Sequence, residues 1–387
     1  MGSVVNACSS SSETPLDKAL ASSDERIRRV MDDVDTYELQ ILYTQIDRSK
    51  QEVPELTTYS YQVDSTQYFY PASTVKFPIA ILALEQLINR SIGDTMITLD
   101  TPYRIENDSV VSSVRKDVNA IFAVSDNAAY NRLFEWLGQD TINKRLEELG
   151  IGPVRIAHRL STANSDRLES AAILVYPHCD TLPCAEETAI RLPGYTSKPI
   201  EPLRLDGLQK GVGYLDEGER VEAPFNFTYK NYFPIRSQEA LMRRVIFPDQ
   251  YEGRQGLQLD DETFLFLYGA MQKLPRAQGY DPEEYYDSYG KFFIYGDTQE
   301  RIPNNLKIFN KVGYAYGTLT DVAYIADIEN DIEFLLTATL LVNPNNVFND
   351  DNYAYEDIGI PFLAQLGREL YAQELEAARN ASDIIEE

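Results

Sequence analysis

The run Ser73 to Asn89 is apolar almost all round, and a helix tolerates that pattern only inside a core. Pro78 falls early in it, where a missing backbone bond does least harm, so a small kink is expected. The chain must therefore build enough structure to enclose this segment. Its 387 residues allow one large domain or two smaller ones. With 43% apolar and 11% aromatic residues it can bury a full core, which excludes wholesale disorder.

Charge narrows the partners. Lys plus Arg is 35 and Asp plus Glu is 61, a net charge of −26. Such a polyanion repels phosphate backbones, so no nucleic acid is expected, and docking on anionic lipid through protein charge is disfavoured. No window of about 20 apolar residues exists to span a membrane. Three cysteines and two histidines are too few for a zinc cluster and leave little for a histidine-based triad. No metal or other cofactor is called for. A small-molecule or peptide substrate and a monomer are expected.

The start, Val5-Asn6-Ala7-Cys8 followed by four serines, lacks the basic and apolar regions of a signal peptide. It nevertheless resembles the end of a bacterial lipoprotein signal. On that reading Cys8 carries a lipid, residues 1–15 form a flexible tether, and the protein is periplasmic or at the cell surface. The alternative is a disordered start with an incidental cysteine.

Leu16 to Met31 has the spacing of an amphipathic helix; Tyr37 to Ile46 and Leu56 to Val63 have that of strands. Val118 to Trp136 and Thr141 to Leu149 read as helices, as do Gln238 to Phe247, Asp260 to Leu274 and Ile358 to Arg379. Lys307 to Tyr316, Asp321 to Ile328 and Ile332 to Val342 read as consecutive strands, the last two joined by a hairpin turn at Glu329-Asn330-Asp331. The fold class is α+β, with residues 16–387 as one domain. Residues 165–230 form an atypical insertion whose short runs support no firm assignment. Arg26, Arg28, Arg29 and the pair Arg243-Arg244 read as solvated basic faces.

Three motifs occur in order: Ser73-Thr74-Val75-Lys76 at the head of the buried helix, Ser125-Asp126-Asn127, and Lys311-Val312-Gly313 by the first of the late strands. Residues i and i+3 share a helix face, so the Lys76 amine can take the Ser73 proton if burial or nearby positive charge lowers its pKa. The helix N-terminus offers N–H groups and a positive dipole end to a developing oxyanion. S-x-x-K also occurs at Ser113/Lys116 and Ser288/Lys291, both in polar surroundings that suggest exposed surface.

The ordered set resembles the class A β-lactamase and penicillin-binding-protein superfamily of serine hydrolases over most of residues 16–165 and 232–380. The resemblance implies a sheet built from both termini beside a helical subdomain, a β-lactamase-like sandwich. It implies Ser73 as acyl-accepting nucleophile, Lys76 as its proton partner, Ser125 as proton relay to the leaving group, and Lys311 as positive charge near Ser125 and a substrate carboxylate. Asn127 would contact the substrate amide, the N–H groups of Ser73 and Tyr314 would form the oxyanion hole beside Gly313, and Asp126 would brace the loop.

The departures are specific. Leu160 stands where class A enzymes carry a deacylating glutamate, although Asn164 fits the end of that motif. His158 or Glu169 are nearby substitutes to consider, against a structural role for the histidine and a solvated one for the glutamate. Val312 removes a carboxylate-binding hydroxyl. Both changes argue against efficient penicillin hydrolysis. Residues 165–230 either reshape the cleft or decorate the periphery, and Cys179 and Cys184 are either a small disulfide loop or free thiols. Tyr68, Phe69, Tyr70, Tyr314 and Tyr316 flank the motifs and suggest a ring-bearing substrate portion, with core packing as the alternative. The leading expectation is a serine hydrolase forming an acyl-enzyme on an amide or ester. A D,D-peptidase, a true β-lactamase and a non-catalytic binding relative are the alternatives.

Overall fold

The structure, a computed structural model, describes residues 13–48, 53–88, 90–179 and 183–386. Cys8 and the serines after it lie outside the described residues.

Five strands form one antiparallel sheet: β1 (Gln40–Asp47), β2 (Glu55–Tyr61), β3 (Leu306–Ala315), β4 (Thr318–Asp327) and β5 (Ile332–Leu341). Their order is β3-β4-β5-β1-β2, so the last strand of the sheet in chain order pairs with the first. Thr44 lies opposite Leu335 in that join. The β4–β5 turn forms as expected. The Asp327 carboxylate accepts the backbone N–H groups of Glu329 (3.0 Å) and Asn330 (3.3 Å), and Asp331 takes the left-handed φ of 53°.

Layers cover both faces of the sheet, which is why β5 can carry the continuous apolar run Phe334-Leu335-Leu336. Phe334 and Leu336 pack with helices α1 (Pro15–Leu20) and α2 (Glu25–Met31) and with the closing helix α9 (Ile360–Glu386). Leu335 and Val322 join the opposite core. That side holds α3 (Lys76–Leu87), α4 (Val114–Val124), α5 (Asn127–Leu137), α6 (Gln139–Glu148), α7 (Ile235–Ile246) and α8 (Asp261–Gln272). Ten of the twelve residues of α3 are buried, so the segment apolar on every side is the hub of the helical layer. The result is the α+β sandwich, sheet beside helices, that the sequence leads one to expect.

Several helices break where polar residues cap a new start. Leu16 to Met31 is two helices, because the Asp24 side chain accepts the Arg26 N–H (2.9 Å) and begins α2. Val118 to Trp136 is likewise divided between α4 and α5. Ser125 takes φ 56° and Asp126 accepts the Ala129 N–H at 2.6 Å. The basic pair is not a solvated face. Arg244 is 6% exposed and donates to the carbonyls of Leu149 and Ala240 (2.7 Å each) and Gln255 (3.0 Å). Arg243 ties Glu239 on α7 to Thr44 and Thr58 of the sheet. A guanidinium has donors enough to satisfy such acceptors where a helix or loop leaves them free. Ser113 is buried too, as the cap of α4, while Lys116 is exposed as expected.

The 165–230 segment adds short strands around the rim. Ile173–Val175 and Ile190–Leu192 make a small sheet with Tyr103–Ile105. Gly213–Asp216 pairs in parallel with Val347–Phe348, just after β5. Cys179 and Cys184 are joined as a disulfide.

One buried carboxylate ties α5 to the chain entering this segment. Glu135 accepts from Arg159 and Arg167 (2.6 Å each) and from the Ala171 N–H (3.2 Å). Both Arg159 and Glu135 are only 4% exposed as side chains. Glu135→Ala strands a buried guanidinium, so urea denaturation is expected to show a loss of about 3–5 kcal/mol. A loss below about 1 kcal/mol would show that the cluster behaves as a surface pair.

Candidate active site

Ser73 sits in the 3₁₀ turn Ala72–Val75 that leads into α3. The turn is set by Pro71, whose carbonyl accepts the Thr74 N–H (3.1 Å) and hydroxyl (2.7 Å). Ala72 is forced to φ 45°, an unusual conformation for a residue with a Cβ. Edge strand β3 passes directly against this turn. A Cβ at Gly313 would lie 2.7 Å from Pro71 O and Thr74 N and 2.8 Å from Ser73 N, closer than real Cβ contacts come. The glycine of the third motif is therefore required by the approach of strand to nucleophile.

Ser125 arrives from the α4–α5 break. Its left-handed backbone ends α4 and holds its hydroxyl between two lysines: Lys311 Nζ at 2.9 Å and Lys76 Nζ at 3.2 Å. Lys76 also donates to Asn127 Oδ1 (2.6 Å) and to the Ser125 carbonyl. Lys311 donates to the Val312 carbonyl (2.7 Å). Among the described residues no hydrogen bond joins Ser73 Oγ to Lys76. Ser73, Ser125, Asn127, Lys311 and Tyr314 line one cavity of about 370 Å³.

Both lysines lie in the interior. Burial pushes the Lys76 amine down to about 7. The Lys311 amine is also lowered well below its ordinary value, first by burial and then by the charge of Lys76. Behind them is a third lysine, Lys291, also lowered to about 7 by burial. The surface reading of Ser288/Lys291 is thus overturned. Lys291 donates to Met271 O (2.7 Å), Ile308 O (2.8 Å) and Asn310 Oδ1 (2.6 Å), and Ser288 donates to Thr298 O. Asn310 in turn donates to Asp321 (2.8 Å), whose carboxyl burial raises to about 6. This network braces β3 immediately before Lys311.

The possible substitutes for the missing glutamate are otherwise engaged. His158 Nε2 accepts the Asn231 N–H (3.3 Å), so its proton is on Nδ1, which faces Arg159 O at 2.6 Å. Burial pushes it down to about 4, and it is a neutral structural residue. Glu169 lines a separate cavity with Glu106 and Asp108. Leu160 and Ser161 occupy the neighbourhood of the nucleophile instead, and Ser161 Oγ accepts from Asn127 Nδ2 (3.0 Å). Asn164 lines neither cavity that touches Ser73. Asp126, in the first cavity, is held as the cap of α5.

A second cavity of about 460 Å³ meets the first at Ser73, Asn127 and Tyr314. Tyr70 and Tyr316 line it, whereas Tyr68 and Phe69 are buried in the core. Its far wall is Asn349, Asp351, Tyr353 and Tyr355, which the sequence reading overlooked because they follow the last strand. The one available signal was the polar and aromatic run Asn349-Asp350-Asp351-Asn352-Tyr353-Ala354-Tyr355 ahead of the closing helix.

Gly313→Ala is expected to separate β3 from the Ser73 turn. Covalent labelling of Ser73 by a serine-directed probe should fall at least about 100-fold, the scale on which misplacement of a reacting group by about 1 Å acts. Wild-type labelling would contradict this account of the glycine.

The comparisons with known proteins bear on the fold and on the first part of the chain. A family model described as "Beta-lactamase enzyme family" matches residues 22–178, which include Ser73, Lys76, Ser125 and Asn127 but stop short of Lys311. No curated protein matches the sequence. A β-lactamase from Sphaerobacter thermophilus superposes over 94% of this chain and 97% of its own, at 14% identity and a TM-score of 0.50. A β-lactamase from Xanthomonas campestris does so over 93% and 99%, at 17% identity and a TM-score of 0.50. Residues 22–178 thus match the β-lactamase family's model, and the chain as a whole has the fold of these β-lactamases.

Proposed function

We propose that the protein is a serine hydrolase that forms an acyl-enzyme through Ser73 on an amide or ester. The observation that carries the reading is the Ser125 hydroxyl held between Lys76 and Lys311 in the cavity that Ser73 lines.

A neutral Lys76 amine has two hydrogens and one lone pair. The hydrogens are used on Asn127 Oδ1 and the Ser125 carbonyl, which leaves the lone pair for a hydroxyl proton. Lys76 takes the Ser73 proton as Oγ bonds to the substrate carbonyl carbon. The carbonyl oxygen becomes an oxyanion, received by the N–H groups of Ser73 and Tyr314. As the tetrahedral intermediate collapses, the bond to the leaving group breaks and Ser125 gives that group its proton. The proton on Lys76 then returns to Ser125. Lys311 holds Ser125 in place by donating to its hydroxyl.

Hydrolysis of the acyl-enzyme needs a base on the attacking water. Leu160 cannot serve, His158 is held by Asn231 and Arg159, and Glu169 lines a different cavity. A slow second step favours a D,D-peptidase-like acyl transfer over efficient β-lactam hydrolysis. A periplasmic or lipid-anchored setting through Cys8 fits this reading and is part of the proposal.

A fluorescent penicillin or fluorophosphonate is expected to label the wild type and not Ser73→Ala, with a penicillin adduct that outlasts the assay. Rapid nitrocefin turnover would overturn the slow second step, and labelling of Ser73→Ala would overturn the nucleophile. Acylation requires the neutral amine, and burial lowers the amine's pKa. The rate should therefore rise with pH and level off above about 7. A stopped-flow profile flat across neutral pH would contradict Lys76 as the base.

A further inference from the structure

We propose that the second cavity is the subsite for the acyl side of the substrate, and that it takes an aromatic group bearing a cation, an arylalkyl ammonium. The proposal rests on the acyl-enzyme reading and deepens it.

The two cavities share Ser73, Asn127 and Tyr314, so a carbonyl at Ser73 has room on both sides. They differ in their polar groups. The first contains Lys311, which donates to Ser125, and Asp126, held as the cap of α5. In the second, Asp351 is the one acidic or basic side chain among the lining residues. Asp351 is exposed and forms no ion pair among the described residues. Five of the twelve other lining residues are tyrosines. Tyr70 and Tyr316 meet edge to face at 5.0 Å, Tyr314 and Tyr355 at 5.2 Å, and Tyr353 lies 5.3 Å from Tyr355. Aromatic faces beside a carboxylate attract a cation and accept a ring. The same carboxylate repels an anion.

The wall is a built structure. Tyr353 OH accepts the Asn349 N–H (2.7 Å), and Tyr355 OH accepts the Gly317 N–H (2.8 Å) at the β3–β4 turn. Both rings are therefore fixed at their tips. Asn343 Nδ2 donates to Val347 O, and Asn349 Nδ2 donates to Leu215 O (2.9 and 2.8 Å). Asn346, Asn349 and Asp351 take φ of 53°, 59° and 55°, a conformation that Asn and Asp adopt at least cost. None of the described residues of the 165–230 segment lines either cavity. It supports the wall from behind, through the Gly213–Asp216 pairing and through Phe225 and Phe227 against Phe348 and Tyr316. Its part in the cleft is thus indirect.

The test uses two esters with the same leaving group, one with a para-aminomethyl-phenylacetyl acyl part and one with the neutral para-ethyl-phenylacetyl part. Second-order rates of Ser73 acylation are measured for wild type and Asp351→Asn. The wild type is expected to favour the cationic ester about tenfold, the ratio that 1.4 kcal/mol produces. In Asp351→Asn the two rates should converge. Equal rates in the wild type, or a preference that survives in the variant, would overturn the cation subsite. Faster reaction of the neutral ester would make the pocket purely apolar. If neither ester nor a fluorophosphonate acylates Ser73, the acyl-enzyme reading itself fails. Calorimetry of para-aminomethyl-phenylacetamide with Ser73→Ala then decides the subsite separately. Binding lost in the Ser73→Ala, Asp351→Asn double variant supports it, and no binding to Ser73→Ala overturns it.

Discussion

The close passage of β3 over the turn that carries Ser73 is the contact on which the rest depends. Only a residue without a Cβ permits it, and Gly313 provides that residue. The passage sets Lys311 beside Ser125 and Tyr314 beside Ser73. It also brings a strand from the end of the chain against a helix from its first quarter. The join of β5 to β1 and the burial of α3 hold those two parts in register.

The enclosed lysines follow from that closeness. An ammonium group in such a place costs free energy, and the neutral amine does not. The protein places three lysines along this seam, Lys76, Lys311 and Lys291, and satisfies their nitrogens with carbonyl, amide and hydroxyl oxygens. Backbone strain gathers at the same place. Ala72, Ser125, Ser161 and Tyr316 all have positive φ around the cavities, between 45° and 56°. Conformations of this kind persist where the surroundings over-determine them, and they cluster at sites that do chemistry.

The α+β architecture was legible because its signals are local and strong. An all-apolar helix, a run of alternating strands and a polar hairpin turn each lead to one outcome. The convergence of Ser73, Ser125, Asn127 and Lys311 was legible from motif order. Other features depended on distant partners. Lys291 looks like surface in its own window, and only the fold brings Met271 and Ile308 to its amine. Arg244 seemed solvated until loop carbonyls were found around it. The helix break at Ser125 and Asp126 was hidden by apolar spacing that continues on both sides of it. The wall of Asn349, Asp351, Tyr353 and Tyr355 escaped notice because it follows the last strand of the sheet and carries none of the three motifs.

The account therefore rests on an amine that has lost its proton under a serine. Titration of the Lys76 ε-carbon by NMR, with Lys76→Met to assign its signal, measures that directly. The account predicts a midpoint near 7, while a midpoint near 10.5, the ordinary lysine value, would contradict it.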